Sequence, residues 1–161
     1  METIRCSLSQ VKQTDYKDIK ELFQNKKVRE FLGGIRTETS IEETFIEMLN
    51  SVNDSKYWII RDKESNEFMG LVSLGPHHNG EDVEISYQLI PKWWGKGYAT
   101  EVINRVIKFA FEVLDINKIV AETQTVNTRS KKLLERVGME LVTTYQRFNE
   151  DQSLYAVEQK S

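Results

Sequence analysis

The sequence predicts a mixed α+β domain built on one twisted sheet, and two observations support this fold class. Apolar residues recur at every second position in some segments and at helical spacing in others. In chain order the segments are a strand, two helices, three strands, a helix, a strand, a helix and two strands, joined by short polar turns. Because no repeat or Pro/Gly/Ser-rich linker interrupts residues 1–161, we expect a single domain.

The N-terminal part predicts one strand and two helices. Residues 4–8 alternate between apolar and polar side chains, which is typical of a half-buried strand. Thr14 is a candidate N-cap for the first helix. The second helix is predicted to begin at Ser40, because Glu43 three residues later completes a capping-box pattern.

The central part predicts three strands and a long helix. The strands lie at residues 56–61, 68–74 and 82–90, which are rich in β-branched and aromatic residues. Short turns join them, so we expect an antiparallel meander that ends at Pro91. Apolar residues then recur at helical spacing over residues 99–114, which predicts a helix that packs on the sheet.

The C-terminal part predicts a strand, a short helix and a hairpin. Residues 118–123 form the strand, and the helix after Asn127 is expected to end at Gly138, since glycine is common just beyond helix ends. Two final strands, at residues 140–147 and 153–158, are joined by the polar residues between them.

The turn between the third strand and the long helix has the features of an anion-binding site. Gly95 and Gly97 lack the Cβ atoms that would hinder close approach of a ligand, and Lys92 and Lys96 add positive charge. The helix N-terminus adds unpaired N–H groups and a partial positive charge, which favour phosphate or pyrophosphate. The alternative is an ordinary glycine turn whose lysines serve solubility.

Two common phosphate-binding motifs do not match this turn. A Walker A loop requires Ser or Thr after its lysine, where this chain has Gly97. The dinucleotide fingerprint requires a third small residue at the position of Thr100, and it belongs to a parallel βαβ unit that the predicted meander does not provide.

The turn does resemble the signature of one enzyme family. Residues 92–97, KWWGKG, are similar to the Gln/Arg-x-x-Gly-x-Gly/Ala acyl-CoA signature of the GNAT N-acetyltransferase superfamily, with Lys92 as the one departure. Residues 84–101 and the later Asn-x-x-Ser segment 127–130 resemble its ribosomal-protein-alanine (Rim-type) branch. The resemblance implies the GNAT fold, a single mixed twisted sheet of about seven strands with helices on both faces.

The resemblance also implies that acetyl-CoA is the co-substrate. Backbone amides of the glycine turn would hold the CoA pyrophosphate, and the pantetheine arm would pair with the end of the third strand. A backbone N–H near Leu89 would polarise the thioester carbonyl. The implied cofactor-binding residues are Gln88, Leu89, Ile90, Lys92, Gly95, Lys96, Gly97, Tyr98, Ala99, Thr100 and Asn127.

Acetyl transfer requires a base for the amine and an acid for the departing thiolate. Glu84 is the predicted base, acting directly or through water, and the alternative is an ordinary charged residue on a solvated sheet face. Ser130 is the acid that the Asn-x-x-Ser resemblance implies, and the alternative is a residue that merely occupies the first turn of a helix capped by Asn127. Other phenols that could serve as the acid or only pack are Tyr87, Tyr98 and Tyr145.

Composition narrows the compartment and the partners. The net charge of −3 argues against nucleic acid and against an anionic membrane as partners. The single cysteine, Cys6, is expected to be buried, and with no signal-peptide pattern at the N-terminus it predicts a cytoplasmic protein. His77 and His78 are expected in an exposed loop, so we predict no metal. The Trp93–Trp94 pair is expected to pack beside the cofactor turn.

The acceptor is predicted to be a primary amine. The Rim-type resemblance suggests a protein N-terminus, and the alternatives are small molecules such as polyamines, amino acids and aminoglycosides. A weak indication of a cationic acceptor comes from the acidic residues Glu38, Glu42, Glu43 and Glu47. A non-catalytic acyl-CoA-binding module and a nucleotide-binding protein are the remaining alternatives, and a homodimer is compatible with the sequence.

Overall fold

A computed structural model describes residues 1–160, and its centre is a seven-stranded sheet. The strands are β1 (Cys6–Gln10), β2 (Lys56–Asp62), β3 (Phe68–Pro76), β4 (Val83–Leu89), β5 (Lys118–Gln124), β6 (Glu140–Arg147) and β7 (Glu150–Glu158). Their order across the sheet is β1-β2-β3-β4-β5-β7-β6.

The sheet consists of two antiparallel parts that meet along one short parallel contact. Strands β1 to β4 form the predicted antiparallel meander, and β7 lies between β5 and β6, antiparallel to both. In the described part of the chain, β4 and β5 pair only where Val83 faces Ile119 and Glu84 faces Val120. Beyond these pairs the two strands separate, so the sheet opens between their C-terminal halves. The predicted mixed sheet of about seven strands is confirmed.

Helices cover both faces of the sheet, as predicted. They are α1 (Tyr16–Phe23), α2 (Lys26–Arg29), α3 (Glu38–Asn50), α4 (Tyr98–Glu112) and α5 (Thr128–Arg136). Helices α1 and α3 pack on the face that carries Ile59 and Leu71, whereas α4 and α5 pack on the face that carries Ile85 and Leu89. Within residues 1–160, no helix combines the length and the apolar character that a membrane crossing requires.

The first strand and helix begin later than predicted. Ile4 is 89% exposed and lies outside β1, because pairing with β2 starts at Cys6. Helix α1 is not capped by Thr14, because a 3₁₀ turn at Gln13–Asp15 precedes it and the helix starts at Tyr16. The prediction that Cys6 is buried is confirmed, since its exposed fraction is 0%.

Two further boundaries also differ from the prediction. Helix α3 begins at Glu38 rather than Ser40, because the Thr37 side chain accepts the Ser40 N–H and caps the helix there. The final hairpin has a two-residue turn, since Phe148 and Asn149 adopt positive φ values of 57° and 62°. Strand β7 therefore starts three residues earlier than expected.

Candidate active site

A cleft of about 870 Å³ opens where β4 and β5 separate. Its lining extends from the N-terminus of α4, along residues 85–89 of β4, to Glu122 of β5. Because β5 leaves β4 beyond Glu84, this edge of β4 has backbone N–H and C=O groups without a neighbouring strand. Such an edge can pair with an extended ligand that carries amide groups.

The N-terminus of α4 forms one end of the cleft and has the geometry of an anion site. Gly97 is the N-cap and has no side chain to accept a hydrogen bond, so the amides of the first turn, Tyr98 to Thr100, are available to a ligand. Gly95 and Gly97 adopt φ values of 73° and 82°, which L side chains rarely adopt. The turn is therefore a suitable cradle for a pyrophosphate.

Arg5 holds this turn from the segment before β1, and the sequence analysis missed it. Its guanidinium lies 3.9 Å from the centroid of the Tyr98 ring and donates to the Lys96 carbonyl oxygen (3.1 Å). It also pairs with Glu101 in the first turn of α4 (3.0 Å). No local pattern could have revealed this contact, because about ninety residues separate its partners in the chain.

Most of the predicted cofactor-binding residues line the cleft, namely Gln88, Leu89, Gly95, Gly97, Tyr98, Ala99, Thr100 and Asn127. Within the described residues, three others do not contribute to its lining. Ile90 packs against the apolar clusters on both faces of the sheet. The Lys92 ammonium pairs with Glu67 (2.6 Å), and the Lys96 ammonium donates to the Lys92 carbonyl oxygen (3.2 Å). Both lysine side chains are thus engaged outside the cleft.

The two tryptophans pack beside the cradle, as predicted. Trp93 is only 8% exposed and belongs to the core under α4. Trp94 donates from Nε1 to the Leu89 carbonyl oxygen (2.8 Å), and the Arg129 guanidinium stacks 3.6 Å from its ring centroid. These contacts fix the end of β4 against the turn and against the start of α5.

Tyr87 and Ser130 form a hydrogen-bonded pair at the cleft, with their hydroxyl oxygens 2.9 Å apart. Asn127 caps α5 by accepting the Ser130 N–H (3.2 Å), which leaves the NH₂ group of its amide for a ligand. Burial raises the pKa of Tyr87, against a smaller opposing effect of the Ser130 hydrogen bond. The phenol therefore stays protonated at neutral pH, and the pair can donate a proton into the cleft.

Glu84 lies at the closed end of the cleft, one residue before its lining begins at Ile85. Side chains alternate along β4, so Glu84, Ser86 and Gln88 share one face. This is the face covered by α1 and α3, because Gln88 pairs with Leu71 of that core. Glu84 and the Tyr87–Ser130 pair thus lie on opposite faces of the same strand.

The surroundings of Glu84 strongly favour its protonated form. Burial raises the pKa of Glu84 to about 7, and the neighbouring Glu122 carboxylate adds to this effect, whereas His77 and Arg147 oppose it. A carboxyl group with a pKa near neutrality is suited to accept a proton at physiological pH. Glu84 is partly buried, so the alternative of an ordinary solvated position does not describe it.

Glu122 beside it is held in the opposite state. Its side chain is only 7% exposed. Its hydrogen-bond donors are His77 Nε2 (3.0 Å), His78 Nε2 (2.8 Å), Arg147 Nη1 (3.1 Å) and the Tyr145 hydroxyl. Burial alone would raise the pKa of Glu122, but these hydrogen bonds outweigh it and lower the pKa. Glu122 therefore remains an anion, and its charge favours the protonated form of Glu84.

The prediction of an exposed His77–His78 loop is wrong for His77, which is 3% exposed because its ring packs against Glu122. The donor atoms of His77, His78 and Glu122 lie within 4.8 Å of one another, a spacing that would suit a metal ion. The Asn79 N–H donates to His77 Nδ1 (3.3 Å), which assigns the proton of the neutral ring to Nε2, from which it is donated to the Glu122 carboxylate.

Comparisons with known proteins identify the family of this chain. A family model described as an acetyltransferase (GNAT) domain matches residues 5–140. The uncharacterised N-acetyltransferase YoaA of Bacillus subtilis is 29% identical over 148 residues, which cover 87% of this chain and 82% of that protein.

Solved structures share the fold. Spermidine N-acetyltransferase from Vibrio cholerae, in complex with CoA and spermine, superimposes with a TM-score of 0.83 at 20% identity, covering 96% of this chain and 95% of that one. Ribosomal-protein-S5-alanine acetyltransferase from Vibrio fischeri gives a TM-score of 0.82 at 18% identity, with coverages of 98% and 95%. These identities support the fold alone, whereas the family model matches most of the sequence. The chain belongs to the GNAT acetyltransferase family.

Proposed function

We propose that this protein transfers the acetyl group of acetyl-CoA to a primary amine. The observation that carries the proposal is the cleft, which runs from an anion-binding turn at residues 95–100 along an open strand edge to Ile85, the neighbour of Glu84. A pyrophosphate, an arm of successive amides and an amine that must lose a proton need these three features in this order.

On the cofactor side, backbone groups do most of the binding. The first-turn amides of α4 bind the pyrophosphate, and the open edge of β4 up to Leu89 pairs with the pantetheine amides, whereas the Ile90 N–H is bonded to Met69 of β3. The Asn127 NH₂ group donates to the same arm. A backbone N–H near Leu89 hydrogen-bonds the thioester oxygen and stabilises the negative charge that develops on it during attack.

On the reaction side, Glu84 accepts a proton from the amine, directly or through one water. The amine nitrogen attacks the thioester carbonyl carbon, the C–S bond of the tetrahedral intermediate breaks, and the amide product forms. The departing thiolate then takes a proton from the Tyr87–Ser130 pair, in which Ser130 is the predicted acid and Tyr87 is its hydrogen-bonded partner. The opposite positions of Glu84 and this pair on β4 separate the base from the acid.

The acceptor is a protein N-terminal amine or a small-molecule amine. The two structural neighbours are named for different acceptors, spermidine and the alanine of ribosomal protein S5, so a shared fold does not select between them. The acceptor has to be found from the chemistry of this chain's own cleft.

The test is release of free thiol from acetyl-CoA against separate pools of N-terminal peptides, polyamines, amino acids and aminoglycosides. We expect amine-dependent release with at least one pool, and a loss of about 10²- to 10⁴-fold in Glu84→Gln. A thermal shift by acetyl-CoA that persists in the variant shows that the cleft is intact. Stabilisation without release from any pool would favour a binding module, and stabilisation by ATP but not by CoA would overturn the assignment.

A further inference from the structure

Two arginines near the segment between α2 and α3 carry positive charge without a carboxylate partner. Arg29 is the last residue of α2, Arg36 precedes α3, and both are half-buried. Within residues 1–160, neither has a carboxylate oxygen within 4.0 Å, a property they share with Arg105, Arg129 and Arg136. Arg36 instead bonds the hydroxyls of Ser40 (2.7 Å) and Thr44. Its charge is therefore not neutralised locally.

Arg29 borders the cleft through Gln88, although its own side chain is not part of the lining, and it keeps donors free. It donates to the carbonyl oxygens of Leu32 (2.6 Å) and Gly34 (2.9 Å), and its Nη1 lies 3.5 Å from Gln88 Oε1. A guanidinium has five N–H groups, so two of them remain for a ligand. Burial, with a smaller contribution from Arg36, lowers the pKa of Arg29, which means that its surroundings disfavour the cation in the absence of an anion.

The position of Arg29 relates it to the proposed base. Gln88 lines the cleft and shares a face of β4 with Glu84, four residues away, which is about 13 Å along a strand. Val28, Phe31 and Leu32 from the same α2 region also line the cleft. One face of β4 thus has a proton acceptor at one end and an unneutralised guanidinium at the other.

We propose that the acceptor carries an anionic group, a carboxylate or a phosphate, in addition to its amine, and that Arg29 binds this group. The inference rests on the proposed function, because it assigns the part of the acceptor site that binds a group other than the amine. Polyamines lack such a group. The acidic residues of α3 do not compete with this assignment: within residues 1–160 no side-chain hydrogen bond joins them to a lining residue, as one joins Arg29 to Gln88, and Glu38 pairs with Lys20 (2.6 Å).

The experiment compares acceptors with and without the anionic group, with kcat/KM expressed per unprotonated amine because the anion also changes the pKa of the amine. Glycine, 4-aminobutanoate and 6-aminohexanoate are each paired with their primary amides, and O-phosphoethanolamine is paired with ethanolamine. We expect kcat/KM to be about 10-fold or more higher for the anionic member of at least one pair, as a charge-assisted hydrogen bond allows. The pair that shows the higher kcat/KM for its anionic member tells whether the anion is a carboxylate or a phosphate. It also gives the spacing between the amine and the anion.

Arg29→Gln should bring kcat/KM for the acid down towards that for the amide. Arg29→Lys should keep part of the preference, because lysine keeps the positive charge but lacks the paired N–H groups of a guanidinium. Arg105→Gln is the matched control, since Arg105 is a half-buried arginine on α4 that bonds the Glu2 carbonyl oxygen outside the cleft. Equal rates for acid and amide, a preference for polyamines, or an equal loss for both members in Arg29→Gln would each overturn the proposal.

Binding provides a readout that does not depend on turnover. Hexanoate and hexanamide lack the amine, and calorimetry on the CoA-bound protein measures their affinities directly. We expect tighter binding of hexanoate and loss of that difference in Arg29→Gln. If acetyl transfer fails with every pool but this difference is present, the proposed function fails and the anion site stands. Equal binding of the two probes refutes the anion site.

Discussion

Replacing Glu84 with glutamine is expected to stabilise the protein while it strongly lowers the activity. The pKa of Glu84 is raised from 4.5 to about 7, which corresponds to at most about 3 kcal/mol of unfavourable free energy for the buried anion. As pH rises, the unfolded chain loses this proton first, near pH 4.5. The wild-type free energy of unfolding therefore falls between pH 4.5 and about 7 through this group and is then constant with respect to it.

Glutamine cannot ionise, so the variant does not undergo this loss. At pH 8 we expect Glu84→Gln to unfold with a free energy about 1 to 3 kcal/mol higher than the wild type, and we expect the difference to vanish near pH 4. Urea unfolding at a series of pH values measures this. Glu140→Gln, which alters an exposed carboxylate on β6, is the matched control and should differ little at any pH.

The same variant tests the base through the pH dependence of kcat/KM. The ratio of wild-type to variant kcat/KM cancels the ionisation of the acceptor amine, which is common to both enzymes. We expect this ratio to rise about tenfold per pH unit below pH 7 and to level off above it. A ratio that does not change with pH would exclude Glu84 as the base, and a variant no more stable than the wild type at pH 8 would refute the burial argument.

Three further predictions follow from the cleft. Tyr87→Phe and Ser130→Ala should each lower kcat about 10- to 100-fold, and the double variant should lose no more than the worse single variant, whereas additive losses would mean that the two hydroxyls act separately. Gly97→Ala should abolish the thermal shift by acetyl-CoA, because φ is 82° at this position and the new Cβ would lie 3.4 Å from Arg5. The control is Gly138→Ala, at φ 92° outside the cleft, which should lower the melting temperature but retain the thermal shift. Glu122→Gln removes the anion beside Glu84, so the midpoint of the kcat/KM profile should move below pH 7, and an unchanged midpoint would contradict the coupling.

The parts of the fold that were predictable are those with local causes. Helix α4 follows from an apolar stripe at helical spacing and a glycine N-cap, and both are written within one short stretch of sequence. The meander follows from three strands on short connections. Boundaries were less certain because competing caps were close together, as with Thr37 and Ser40 at the start of α3.

The hydrogen bonds of His77 and Arg147 to Glu122 were not predictable from the sequence, because the pairing of the strands is what brings these residues together. His77 and Glu122 are 45 positions apart in the sequence, and Arg147 reaches the same carboxylate from β6 across β7. The two histidines looked like turn residues because their turn is polar and contains Asn79 and Gly80. Only the pairing of β4 with β5 places that turn over a buried acid.

The point at which β4 and β5 part determines how the reaction can be arranged. Because the strand pleat sends successive side chains to opposite faces, Glu84 and Tyr87, an odd number of positions apart, must lie on different sides of the sheet. Base and acid can then act on one thioester only through an opening in the sheet between them. Parallel pairing ends at Glu84, which provides this opening directly beyond the base and in front of Tyr87. A shift of β4 by one residue would exchange the two faces, placing the carboxyl group in the apolar core beneath α4 and the phenol on the acceptor side.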